Sequence, residues 1–168
     1  MQKCACSLST LGAVVGIAIA TLTINPAKAD STQNLKFDVF IDGATFSTVG
    51  TPPFRGTVFI VTGFIYPGGT LASNPATAPP GMIGTWTCRG TFTGNDNQVY
   101  SIQEFYLPDE TTSIATEGIE NNTFGGVFLD TRATIGGTGV YQKIKGQNTE
   151  LNLGNNGTGL SNLSFTFN

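Results

Sequence analysis

The stretch "TIGGTGVYQKIKG", Thr134–Gly146, sets three glycines and a threonine between apolar residues, then an aromatic, two lysines and a further glycine. It reads either as an anion-binding loop or as a chain reversal, and the two readings lead to different folds. A phosphate loop of the Walker type needs G-x-x-x-x-G-K-[ST] opening a helix, since backbone amides and the lysine cradle the phosphates. Here no Lys-Ser/Thr pair follows the last loop glycine, and "QNTELNL" (Gln147–Leu153) reads as strand. A dinucleotide fingerprint also needs a helix and a parallel sheet, and neither is in view. The corner reading fits better. Gly136, Gly137 and Gly139 permit positive φ, and Thr138 hydrogen-bonds within the turn. Tyr141 then lays its ring on the end of the fold, and Gly146 relieves crowding where the next strand bends.

On both sides of this corner the chain is strand-like. Thr, Gly, Asn, Phe and Val dominate, and Ala-Leu-Glu-Lys runs are missing, a composition that favours strands and turns. Eight apolar-rich segments follow one another: 35–47, 55–66, 83–92, 98–107, 112–119, 124–135, 143–153 and 160–167. "GND" (Gly94–Asp96), "PDE" (Pro108–Glu110) and "ENN" (Glu120–Asn122) separate some of them as turns. "RGTVFIVTGFIY" (Arg55–Tyr66) is apolar on both faces, as a strand buried on both sides would be. Pro67–Gly81 holds four of the eight prolines and is expected to be an exposed, stiff loop. Short strands with hairpin-sized turns imply an all-β fold, and eight antiparallel strands suit a small closed barrel with room for packed side chains or one ligand.

The N-terminus has a different character. Lys3, the apolar run Leu11–Ile24 and the small residues Ala27 and Ala29 form a signal-peptide pattern, so cleavage is expected before Asp30. Residues 1–29 are then a leader, 30–168 a single β-barrel domain, and the product is exported to the periplasm or beyond. An uncleaved anchor is the alternative, but the run is shorter than the ~20 residues a bilayer needs. Cys4 and Cys6 leave with the leader, so Cys88 has no disulfide partner. Eight basic residues stand against eleven acidic ones, with no basic patch to suggest nucleic acid as a partner. Histidine is absent, which removes Ser-His-Asp and Cys-His sites and ordinary zinc sites. No metal and no cofactor is expected.

The Ile135–Gly139 run followed by Tyr141 and Gly146 resembles the GGTG-x-[FY] signature of the allene oxide cyclase and dirigent barrel superfamily. "YPGGTL" (Tyr66–Leu71), "GTWTCRGTF" (Gly84–Phe92) and "TEG" (Thr116–Gly118) are similar to bacterial relatives of that barrel. The resemblance spans most of Phe37–Phe167. It implies an eight-stranded antiparallel, calycin-type barrel with an internal cavity. It further implies cyclase-like or dirigent-like activity on an apolar metabolite, without covalent catalysis, and a homo-oligomer. Cyclases of this kind place a carboxylate in an apolar cavity, for which Glu104 or Glu117 is available here; no matching motif fixes which.

The residues themselves leave alternatives open. Trp86, Cys88 and Phe92 share one face of their strand, and Arg89 lies on the other among threonines. On the lumen side Arg89 would bind a carboxylate or phenolate; the apolar Trp86 and Phe92 favour the water-facing side for it. Trp86 itself is core or cavity wall. Tyr100, Glu104 and Tyr106 share a face, which is either a ligand-binding wall with a poorly solvated carboxyl or the outer surface. Glu117 has the same two readings. Asp130 and Arg132, two apart, form a lumen pair or the commoner surface pair. Three functions remain: an exported barrel binding a small, largely apolar molecule and guiding its cyclisation or coupling; an extracellular structural barrel with a filled core; or a small outer-membrane barrel.

Overall fold

The computed structural model describes residues 35–168 except 53, 95–97, 110 and 122–125. The expected leader and its cleavage point lie outside the described residues, as do Asn95, Asp96, Glu110 and Asn122 of the turns named above. Nine strands form one antiparallel sheet: β1 (Leu35–Ile41), β2 (Ser47–Val49), β3 (Val58–Pro67), β4 (Gly84–Phe92), β5 (Gln98–Tyr106), β6 (Ser113–Asn121), β7 (Val127–Gly137), β8 (Gly146–Asn155) and β9 (Ser161–Phe167). β1 pairs with β9 on one side and β3 on the other, which closes the sheet. Between β1 and β2 the Asp42 carboxylate accepts the Ala44 N–H at 3.0 Å and turns the chain. The three residues of β2 then resume pairing with β3. β1 and β2 thus serve as one interrupted stave, and the fold is the eight-stave antiparallel barrel expected from the sequence. Closure pairs β1 on both sides and leaves only the three-residue β2 paired on one side; closing the sheet is how small all-β folds avoid edge-to-edge association.

Alternation sends every second side chain into the lumen, and two ends differ in what they receive. At one end Phe37, Phe105, Phe165 and Phe167 pack together, with Phe105 4.9 Å from Phe165 and 5.4 Å from Phe167 in edge-on geometry. Such pairs add about 0.5–1.5 kcal/mol each beyond their buried area. The glycine-threonine corner closes this end. Thr116 faces Thr134 and Ala115 faces Gly136, so Ile135 is an extra residue that bulges β7 out of register. Thr138 Oγ1 donates to Thr111 O at 2.6 Å and accepts the Ser113 N–H at 2.9 Å. A single 3-10 turn, Gly139–Tyr141, follows, and Tyr141 packs on the core. Gly139 has φ +56, and a Cβ there would meet Thr112 Oγ1. The corner serves geometry, with no α-helix opening at it.

Two expectations change. Pro67–Gly81 is partly a strap rather than a free loop. Leu71 is buried with Phe40 and Tyr66 on the outside of the barrel, and its N–H donates to Asp38 Oδ2 at 2.8 Å. Asn74 extends the strap, donating to the carbonyls of Gly154 and Asn155 at 3.2 and 3.1 Å. The barrel surface supplied apolar and polar partners that a composition reading of the loop does not contain. β3 is buried on both faces only at its end, where Ile65 points inward and Tyr66 lies under the strap. Phe59, Val61 and Ile65 point inward, whereas Val58, Ile60 and Phe64 are exposed.

Candidate functional site

The lumen has an apolar half and a polar half. β1, β3, β4 and β9 contribute Val39, Ile41, Phe59, Val61, Trp86 and Leu163. β5 to β8 contribute Ser101, Gln103, Thr116, Glu120, Asp130, Arg132, Asn148, Glu150 and Asn152, all buried. On β7 and β8 this reverses the usual pattern: Asp130, Arg132, Asn148 and Glu150 face in, while Val127, Leu129 and Leu151 are exposed. Burying charges in this way is costly unless they are paired and hydrogen-bonded, so the partners decide what the site is.

Arg132 is the hub. Its Nη2 donates to Ser101 O and Ser101 Oγ, both at 2.9 Å. Nη1 lies 3.1 Å from Glu120 Oε2 without hydrogen-bond alignment, a purely Coulombic contact. Nε lies 3.9 Å from Glu150 Oε2. The two glutamates are bridged by Gln103, whose Nε2 donates to Glu150 Oε2 at 2.8 Å and to Glu120 Oε2 at 3.3 Å. Ser101 Oγ donates to Glu120 Oε1 at 2.7 Å.

The electrostatics follow from this crowding. Burial, reinforced by the Glu120 charge, pushes the Glu150 carboxyl well above the usual carboxylate range, against the pull of Arg132 and Gln103. Burial likewise raises Asp130, although Asn121 donates to it through its backbone N–H and its side-chain amide, both at 3.2 Å. Cys88 Sγ lies 3.9 Å from Glu120 Oε1. Burial first, and Glu120 second, push its thiol well up, so it is a small buried hydrophobe and no nucleophile. A cavity of about 90 Å³ separates the two halves of the lumen at the end away from the phenylalanine cluster. Phe59, Val61, Trp86 and Leu163 line its apolar side, Gln103, Glu120, Glu150 and Asn152 its polar side, and Phe46, Phe128 and Leu160 its mouth.

Of the side chains singled out from the sequence, the structure brings three into the lumen. Trp86 lines the cavity. Asp130 and Arg132 share the lumen face, where the surface placement was the commoner expectation. They do not pair with each other; the guanidinium turns to Glu120 and Glu150. Five others stand on the outer face. Arg89 Nη2 bonds Glu104 Oε1 at 3.0 Å, and the Tyr100 hydroxyl donates to Glu117 Oε2 at 3.0 Å. Tyr106 is exposed beside them. For Glu104, Tyr100 and Tyr106 this corrects the lumen reading, because the opposite phase of β5, Val99-Ser101-Gln103-Phe105, is the one that closes on the core. For Glu117 it corrects the ligand-wall reading in the same way; Arg89 stands on the water-facing side that Trp86 and Phe92 favoured for it, and not on a ligand wall. Gly136, Gly137, Thr138, Gly139 and Tyr141 lie at the opposite end from the cavity. The sequence reading missed Glu120, Glu150, Gln103 and Ser101. Glu120 was placed in a turn, yet β6 runs on to Asn121.

No family model matches the chain, and no curated protein sequence matches it. Solved structures do. A pyocyanin demethylase aligns with TM-score 0.56 at 19% identity, over 80% of this chain and 99% of that one. The pterocarpan synthase dirigent protein PsPTS1 aligns with TM-score 0.60 at 15% identity, over 79% of this chain and 90% of that one. A second dirigent protein, GePTS1, gives 0.61 at 13%, over 79% and 80%. With its closed eight-stave barrel and these neighbours, the chain has the dirigent-like, allene oxide cyclase-like barrel fold.

Proposed function

We propose that the barrel takes up a small, largely apolar ring-containing molecule through the mouth formed by Phe46, Phe128 and Leu160, and steers its cyclisation or coupling by confinement. The observation that carries this reading is the two-faced cavity: an aromatic and aliphatic wall facing a hydrogen-bonded carboxylate pair. Ligand sites are mostly apolar with a few convergent polar groups and perturbed acids. A ring lying against Trp86 presents its polar edge to Gln103 and Glu150. Orientation of this kind supplies rate without covalent chemistry. Glu150, whose carboxyl burial holds well above the ordinary carboxylate range, is a candidate for proton transfer. The three proteins of like fold carry the names of a demethylase and two synthases, which is in keeping with small-molecule work. An apolar cavity of about 150 Å³ accepts benzene; this one, at about 90 Å³, is smaller, so a ring enters it partway and the remainder sits in the mouth. Export by the leader is part of the proposal.

The test uses the lone tryptophan. Terpenoid, oxylipin and phenolic panels are titrated while Trp86 emission and melting temperature are followed. A ligand present at 100 times its Kd stabilises the fold by about 2.7 kcal/mol. Absence of both signals across the panel would favour the filled structural barrel instead. An outer-membrane barrel is disfavoured by the phenylalanine-packed lumen, since spanning barrels of that class have polar interiors.

A further inference from the structure

We propose that the cavity selects ligands with a cationic or proton-donating edge and rejects anionic ones, making an organic cation on an aromatic ring its best occupant. The inference rests on the lumen-binding reading above and adds the charge class of the ligand.

The charged residues on the cavity wall are Glu120 and Glu150; the lining includes no Arg or Lys. Arg132, the cation that accompanies them, is fully buried behind them, with its Nη2 committed to Ser101. An entering anion therefore meets two carboxylates before it meets any cation. Among the described residues no group of three His, Cys, Asp or Glu is placed to hold a metal ion, so an inorganic cation has no ligand set here. One polar atom of the lining points the same way. Gln103 Oε1 is buried without a donor, and Gln103 lines the cavity, so it calls for a ligand N–H or O–H. Opposite stands Trp86, whose ring face lines the cavity. Phe59 lines the same wall, and Phe46 the mouth. Aromatic faces with carboxylates opposite are the chemistry that recognises substituted ammonium and N-alkyl heteroaromatic cations: the rings supply cation–π attraction and the acids supply countercharge. Such a cation gains most in a partly desolvated space, where unscreened charge counts for more than in water.

Three probes of matched size separate the possibilities: N-methylpyridinium, benzyl alcohol and benzoate, each titrated into the whole protein at pH 7 with Trp86 emission and calorimetry as readouts. The expected result is that the cation binds at least ~10-fold more tightly than benzoate, with benzyl alcohol between them. Glu150→Gln and Glu120→Gln each shrink the cation-to-benzoate ratio several-fold while changing benzyl alcohol affinity less than about 3-fold. Raising the salt concentration weakens only the cation. Binding of benzyl alcohol with benzoate as tight as the cation overturns the charge selection and leaves the lumen reading intact. Failure of all three probes to bind overturns both. The wild-type ratio needs no variant, so a misfolded substitution does not rescue the idea.

Discussion

Replacing Arg132 by Met removes the guanidinium that holds Glu120 and Glu150 in place and leaves a side chain of similar length in the lumen. Breaking a buried ion pair from one side typically costs about 3–5 kcal/mol, because the remaining charge has no partner. The variant has one escape, which sets a ceiling: a stranded glutamate can keep its proton. An ordinary glutamate ionises near pH 4.3, and each pH unit above that costs about 1.4 kcal/mol of protonation free energy. The escape therefore costs about 3.7 kcal/mol at pH 7 and about 1 kcal/mol at pH 5 by the same relation. The two hydrogen bonds that Nη2 makes to Ser101 add a part that does not depend on pH, about 1–2 kcal/mol.

Urea denaturation of wild type and Arg132→Met at both pH values measures the difference directly. The expected outcome is a penalty near 4–5 kcal/mol at pH 7 that falls by about 2.7 kcal/mol on going to pH 5. The double variant Arg132→Met, Glu120→Gln should recover most of the pH-dependent part, since the acid nearest the lost guanidinium is then neutral. A penalty under about 1 kcal/mol at pH 7, or one of equal size at both pH values, would mean that Arg132 is solvated and that the lumen cluster is not the buried network described here.

Three further outcomes test separate parts of the structure. Glu150 has its folded-state pKa raised, so its stabilising contribution is full below the ordinary carboxylate range and is lost as pH rises through the folded value; Glu150→Gln should flatten the fall in melting temperature as pH rises above about 4.3. Gly139→Ala should destabilise the barrel by about 1–2 kcal/mol from the left-handed backbone alone, and by more because the new Cβ meets Thr112, with ligand binding at the far end unchanged. Arg89→Ala, which breaks the pair with Glu104 on the outer face, should change stability by less than about 1 kcal/mol and leave Trp86 emission and every probe titration as in the wild type.

Much of the fold was legible because closure of a small barrel rests on local signals. The eight segments match the eight staves to within a few residues, and the glycine-threonine corner falls where β7 leaves the sheet. The site was less legible, for one physical reason. A period of two separates the faces of a strand but does not say which is inside. Where the lumen face is the more apolar, as on β4 with Trp86, Cys88 and Phe92, the usual rule assigns it correctly. On β5 the outer face carries Tyr100, Ile102 and Tyr106 and the inner one Ser101 and Gln103, so the same rule inverts the strand. β7 and β8 invert for the same cause. Glu120 escaped notice because Asn-rich sequence after it resembles a turn, although backbone pairing continues through it: Val99 faces Glu120 and Gln98 faces Asn121.

Cross-strand register contains the information that single strands lack. Asp130 stands directly opposite Glu150, and Arg132 opposite Asn148. Two acids facing each other across a ladder destabilise it even on a surface, and inside a lumen the effect grows with desolvation. A chain selected for stability alone would place aliphatic side chains at 130 and 150, since buried ionic clusters often become more stable when replaced by hydrophobic residues of similar volume. The Leu129–Leu151 pair on the outer face of the same hairpin has the opposite defect, apolar groups facing water. Shifting either strand by one residue would cure both faults, yet register and closure hold the acids inside. Local rules broken in this way mark functional sites in otherwise consistent sequences. The unfavourable placement of Asp130 and Glu150 is therefore itself a reason to look for function in the polar half of the lumen.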